Sequence, residues 1–161
     1  MRKLKKAQVW FLDIAIAILF FTTALTLYFK YSVNLNSDSD KLEILAMDSK
    51  FIAEQLLSTG YPENWTELPL SNISSLGLLN RNQTLNESKL SHFINITEHN
   101  YSFVKKNFET SYDFFIELKI HNLTISAGKN FTNPKYLIKL SRLLVYNNSI
   151  ARLIIYTYSQ Y

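Results

Sequence analysis

Hydrophobic and polar positions divide this chain into segments of different period. Residues 7–29 form a predominantly apolar run of 23 whose one charged residue is an acid, Asp13. A helix rises about 1.5 Å per residue, so a run of that length matches a hydrocarbon core about 30 Å thick. Residues 32–40 are polar and acid-flecked, and read as a hinge or a weak helix. Beyond them Leu42, Leu45, Ala46, Ile52, Ala53, Leu56 and Leu57 recur at three- and four-residue steps, one face of an amphipathic helix over about residues 40–59. Ser39 suits its N-cap, with Asp40 and Glu43 near the positive end of the helix dipole. Gly60 suits a left-handed cap at the other end, and Pro62 prevents continuation.

Loops and short helices are expected over about residues 60–110. Asn86 can cap a short helix through Phe93 and Ile94, and a second short helix carries Tyr101, Val104 and Phe108 on one side. Trp65 is expected to pin its loop onto the core. The last third, about residues 112–159, reads as strand. Tyr112, Phe114, Ile116, Leu118 and Ile120 alternate with Asp113, Phe115, Glu117, Lys119 and His121, the period of a half-buried antiparallel strand. Leu123 and Ile125 belong to a shorter strand that stops at Ala127-Gly128. Tyr136–Tyr146 forms another, and its apolar phase shifts between Leu140 and Leu143, which predicts a bulge. Asn147-Asn148 can turn with positive φ into a strand over residues 150–159. The Tyr-rich C-terminal run, Tyr156 to Tyr161, reads as an edge strand or as a contact surface. The predicted fold class is α+β: a long N-terminal hydrophobic helix, then a small headpiece with an amphipathic helix on an antiparallel sheet of about four strands.

Charge gives the apolar run a direction. Arg2, Lys3, Lys5 and Lys6 precede it, so the positive-inside rule places the N-terminus in the cytoplasm and everything after Lys30 outside the cell. Trp10 and Tyr31 fit the aromatic belts at its two ends. The formal charge of +4 is accounted for by those four leading cations. The remainder of the chain lacks the basic stripe that nucleic-acid binding requires. The run is too long for the core of an ordinary secretory signal, and no A-x-A site follows Phe29. A prepilin peptidase cuts before the apolar run instead, and Lys6-Ala7-Gln8 has the form of such a site. Cleavage there would leave a new amine on Gln8. Asp13, a carboxylate in an otherwise apolar helix, needs a partner, and the amine of a neighbouring subunit would serve.

Lys6, Ala7, Gln8 and an acid within Gln8-Val9-Trp10-Phe11-Leu12-Asp13 together resemble archaeal type IV pilin-like proteins with class III signal peptides. The family's usual acid is a Glu at the fifth mature position, whereas Asp13 would stand sixth. Downstream, Gly60-Tyr61-Pro62-Glu63-Asn64-Trp65-Thr66, Leu76-Gly77-Leu78, Leu85-Asn86-Glu87-Ser88-Lys89-Leu90 and Tyr112-Asp113-Phe114-Phe115-Ile116-Glu117-Leu118 look like an archaeal pilin-like group with the same N-terminus. The resemblance implies a cytoplasmic leader (residues 1–7), a membrane and assembly helix (8–31) and an extracellular headpiece (32–161). As partners it implies a prepilin peptidase, other pilin-like subunits and the pilus assembly machinery. A lone single-pass membrane protein with an extracellular binding domain is the alternative, favoured by the displaced acid.

Composition adds an outward-facing signature. The chain has fifteen Asn, and about 17% Ser plus Thr would place roughly 2 to 3 Asn-x-Ser/Thr sequons by chance. The pattern recurs at Asn64, Asn72, Asn82, Asn86, Asn95, Asn122, Asn130 and Asn147, all beyond the apolar run, where external glycosylation can reach. Absence of cysteine rules out disulfides and zinc-thiolate sites. Catalysis, a metal and a cofactor are not expected. His92 and His99 would share a helix face, but Asn95 to Thr97 is expected to interrupt that helix, and His121 follows a strand. Asp38 and Asp40 offer too few oxygens for calcium. No nucleophile elbow, phosphate loop or H-E-x-x-H motif is present.

Overall fold

A computed structural model of the protein describes residues 2–160, with side chains for residues 10–32 and 38–160. The chain divides into two compact units, Met1–Lys41 and Leu42–Tyr161. Helix α1 covers Arg2–Leu56, so the backbone of residues 32–40 is helical. Ser39 is therefore a helix-interior residue and not the N-cap of a separate helix. The polar segment contains neither Gly nor Pro, and Ser, Asp and Asn each cost only a few tenths of a kcal/mol inside a helix. At its other end α1 stops at Leu56, short of the expected residue 59, and Ser58 N donates to Gln55 O at 3.1 Å in a tightened final turn.

In the second unit the fold is α+β, with helices packed on one face of a four-stranded antiparallel sheet. Helix α2 is Glu87–His99 and α3 is Tyr101–Asn107. Strands β1 (Asp113–Ile120), β2 (Leu123–Gly128), β3 (Tyr136–Tyr146) and β4 (Ser149–Ser159) lie in the order β2-β1-β4-β3. The Tyr-rich C-terminal run is thus the central strand β4, hydrogen-bonded on both sides, and not an edge. Tyr161 lies outside the described residues. The β3–β4 turn is made by Asn147 and Asn148 at φ 45 and 58, the geometry that matches the twist of the paired strands.

No bulge interrupts β3. Its register against β4 is continuous from Tyr136↔Ser159 to Tyr146↔Ser149. The apparent phase shift arises because Leu143 and Val145 point away from the core and are exposed, while Arg142 takes an inward, half-buried position. Phe114, Ile116, Leu118 and Ile120 stand opposite Thr157, Ile155, Leu153 and Ala151 on the inner face, and all eight are buried. Against them pack Ile52, Ala53 and Leu56 of α1, Leu90, Phe93 and Ile96 of α2, and Val104 of α3. Each large apolar side chain so buried contributes about 1.5–3 kcal/mol. A buried polar cluster lies between α1 and β4: the hydroxyls of Ser49 on α1 and Thr157 on β4 bond each other, and Thr157 Oγ1 donates to Leu45 O at 3.2 Å. On the opposite face Phe131, from the β2–β3 connection, covers Tyr156 and Tyr158 with ring centroids 5.5 and 5.1 Å away.

The segment between α1 and α2 is fastened by two glycines. Gly60 has φ +74, and a Cβ on Gly77 would lie 2.2 Å from Gly60 N. This close approach lets Leu78 N donate to Leu56 O and Leu79 N to Ser58 O, both at 2.9 Å. Trp65, fully buried, donates from Nε1 to Gly77 O at 3.1 Å and so pins its loop as expected.

Candidate functional site

In the first unit, Trp10–Ser32 is a helix long and apolar enough to cross a membrane. Its 23 residues span about 35 Å at the helical rise. Trp10, Phe11, Leu19, Phe20, Phe21 and Tyr28 are all exposed, so the helix is apolar around its whole circumference. A helix of that kind is stable only in lipid or among other apolar helices. Its threonine hydroxyls are satisfied within it: Thr22 Oγ1 donates to Ile18 O at 2.9 Å, Thr23 Oγ1 to Leu19 O at 2.7 Å and Thr26 Oγ1 to Thr22 O at 2.6 Å. Such back-bonding removes the cost of hydroxyls in hydrocarbon.

Asp13 differs from these threonines. Its carboxylate is exposed and has no hydrogen-bond or ion-pair partner among the described residues. A carboxylate cannot be satisfied by its own helix backbone, whose N–H groups are already committed. The side chains of Lys6, Ala7 and Gln8 lie outside the described residues, and only their helical backbone is placed.

The second unit carries a polar cleft of about 600 Å³ lined by Glu63, Asn64, Asn80, Arg81, Asn86 and Lys89 among others. Arg81 grips Glu63 with Nε donating to Oε1 and Oε2 at 3.0 and 2.8 Å, and this hydrogen bonding holds the Glu63 carboxyl below its ordinary range. Lys89 is buried, and burial pushes its amine below the ordinary lysine value. Its Nζ donates to Thr59 O at 2.7 Å and Leu79 O at 3.1 Å, tying α2 to the glycine-paired segment. Its position inside an apolar helical pattern was the available signal for this role. At the sheet end, Asp113 accepts from Lys105 at 3.0 Å and Lys129 at 2.7 Å. Burial alone would raise its carboxyl, but the hydrogen bonds from Lys129 and Lys105 outweigh it and hold the pKa low.

The histidines stand apart. Helix α2 runs uninterrupted through Asn95 to Thr97, contrary to the expected break, because Thr97 buries its side chain and donates to Phe93 O at 2.7 Å. His92 packs on Trp65 with ring centroids 5.6 Å apart, while His99 Nδ1 meets Asn95 O at 2.9 Å. His121 lies exposed in the β1–β2 turn.

The sequon asparagines fall into two groups. Asn64, Asn72, Asn82, Asn95, Asn122, Asn130 and Asn147 are exposed. Asn86 is half-buried and is the N-cap of α2: its Oδ1 accepts from Lys89 N at 3.0 Å and its Nδ2 donates to Asn80 Oδ1 at 2.7 Å. A further sequon, Asn100-Tyr101-Ser102, belongs with the exposed group and brings the number to nine. It lies at the α2–α3 junction, and the pattern alone suffices to find it. No protein-family model matches this chain, and neither a curated protein nor a solved structure matches it.

Proposed function

We propose that this chain is a pilin-like structural subunit, a minor one, of an archaeal type IV pilus-like cell-surface filament. The observation that carries the reading is Asp13: one carboxylate without a partner among the described residues, set in a helix apolar on every side, shortly after the Lys6-Ala7-Gln8 junction. Cleavage before Gln8 by a prepilin peptidase exposes an amine, and Asp13 of a neighbouring subunit accepts it in a bundle of apolar helices. The bundle covers the exposed aromatic and aliphatic side chains, and the ion pair removes the cost of the acid. A helix of this length leaves lipid only with energy supplied, so assembly requires a dedicated machine. The headpiece faces outward, on the side opposite the four leading cations.

A second reading is a permanent single-pass anchor bearing a glycosylated extracellular binding domain. It is favoured by the spacing of the acid, sixth and not fifth after the junction. The two readings part on Asp13→Ala. For a filament subunit, the variant still reaches the membrane fraction, but its incorporation into sheared surface filaments falls about tenfold or more, the loss expected even from a pair worth ~1.4 kcal/mol. Asp13→Glu retains incorporation. Equal incorporation of Asp13→Ala and the natural chain would overturn the pairing.

A further inference from the structure

We infer that the headpiece is N-glycosylated selectively, at the sequons on turns and strand ends, while Asn86 and Asn95 stay bare. The inference rests on the outward placement of the headpiece. It goes further by assigning the acceptor sites from geometry.

A transferring enzyme must reach two groups of each sequon together, the Asn carboxamide and the hydroxyl two residues on. Whether one catalytic surface can meet both depends on backbone conformation. In extended chain, residues two apart point to the same side. In a helix they lie about 200° apart. Asn95 and Thr97 sit in the middle of α2, so the exposed Asn95 places Thr97 in the core, 3% exposed, with its hydroxyl bonded to Phe93 O. Asn86 fails for a different reason. Both atoms of its carboxamide are engaged, Oδ1 by the first turn of α2 and Nδ2 by Asn80.

In the remaining sequons the hydroxyl residue is exposed or half-buried, even where Ser149 donates to Tyr146 O, and at most one carboxamide atom is hydrogen-bonded. Asn122 lies in the β1–β2 turn, with Thr124 beyond it on the strand, and both are exposed. Asn130 and Thr132 are exposed just past the end of β2, and Asn147 begins the β3–β4 turn. In Asn82-Gln83-Thr84, Gln83 takes φ 61 and Thr84 Oγ1 donates to Asn82 Oδ1 at 2.7 Å, so carboxamide and hydroxyl already meet on one exposed loop. Asn72 and Ser74 are exposed beside a short 3-10 turn, as are Asn100 and Ser102 at the α2–α3 junction. Asn64 is exposed at the rim of the polar cleft. Sugars at Asn122, Asn130 and Asn147 would stand at the ends of β2 and β3, the two outer strands of the sheet, where unpaired backbone otherwise invites association.

The reaction needs a lipid-linked sugar phosphate as donor. The carboxamide nitrogen bonds to the anomeric carbon, the bond from that carbon to the phosphate oxygen breaks, the lipid phosphate leaves with the electron pair, and the nitrogen loses one proton to a base. No oxidation or reduction occurs.

Intact-glycopeptide mass spectrometry on the full-length protein from its native membranes tests the assignment. The expected result is glycan on peptides carrying the turn and strand-end asparagines, with Asn86 and Asn95 unmodified. Glycan at Asn86 or Asn95 in amounts comparable to Asn122 would overturn the selection while leaving an external headpiece intact. No glycan at any sequon would overturn the glycosylation reading itself. Thr97→Val and Thr124→Val give an independent comparison, since each removes one sequon with a near-isosteric side chain. Thr124→Val should lose one glycan mass and Thr97→Val none, and loss from Thr97→Val would contradict the inference.

Discussion

Gly77 shows how one residue fixes a stretch of irregular backbone. A Cβ there would meet Gly60 N at 2.2 Å and Ser58 O at 2.4 Å, and both are backbone atoms that no rotamer change can move. Gly77→Ala must therefore separate two hydrogen-bonded segments and displace the carbonyl that accepts Trp65 Nε1. Destabilisation of roughly 3 kcal/mol is expected, at the upper end for overpacking. Chemical denaturation in a membrane mimetic, followed by Trp fluorescence, measures it, and a loss below about 1 kcal/mol would show that the segments yield. The positive φ of Gly60 was legible in the sequence, but the helix it was expected to cap stops four residues earlier at Leu56, and its pairing with Gly77 was not legible. Sequence displays a glycine's freedom of φ, but close approach to a residue seventeen positions away leaves no local mark. Lys89 was marked only by its place in an apolar helical pattern, and its two carbonyl partners, from segments ten and thirty residues distant, left no local mark.

Elements were legible where a local signal and a tertiary demand agreed. Helix α2 begins at Asn86 as its capping chemistry requires, and β1 buries alternate residues as its period requires. The cap can be isolated experimentally. Asn86→Ala should cost about 1 kcal/mol of headpiece stability, and Asn86→Ser, which restores a capping oxygen, should recover most of it. Equal losses for the two variants in thermal unfolding would place the contribution in the Asn80 contact and not in the cap. Where local signals misled, a non-local term decided. Asn95 to Thr97 looked like a break, yet burial of Ile96 and Thr97 holds the helix together. The phase shift in β3 suggested a bulge, yet continuous pairing with β4 keeps the register and leaves Leu143 and Val145 exposed instead. The central position of β4 follows from pairing with β1, about forty residues earlier, and strand order of that kind is not written in local periodicity.

At the scale of the whole molecule, the chain combines a helix that needs an apolar environment with a separate unit that builds its own core. The first feature was legible, because a helix long and apolar enough to cross a membrane is read from length and composition alone. The candidate assembly residue was legible for the same reason, since Asp13 is the one acid in that run. What the helix does depends on the covalent state of its N-terminus. In the proposed filament subunit a free amine on Gln8 would supply a partner for Asp13, and an intact leader would leave the acid without that amine. N-terminal mass spectrometry on the protein from its native membranes, with and without the host's prepilin peptidase, decides between them. A filament subunit is predicted to begin at Gln8 only when the peptidase is present. A start at Met1 or Arg2 in both preparations would contradict assembly through the Gln8 amine and leave a permanent membrane anchor.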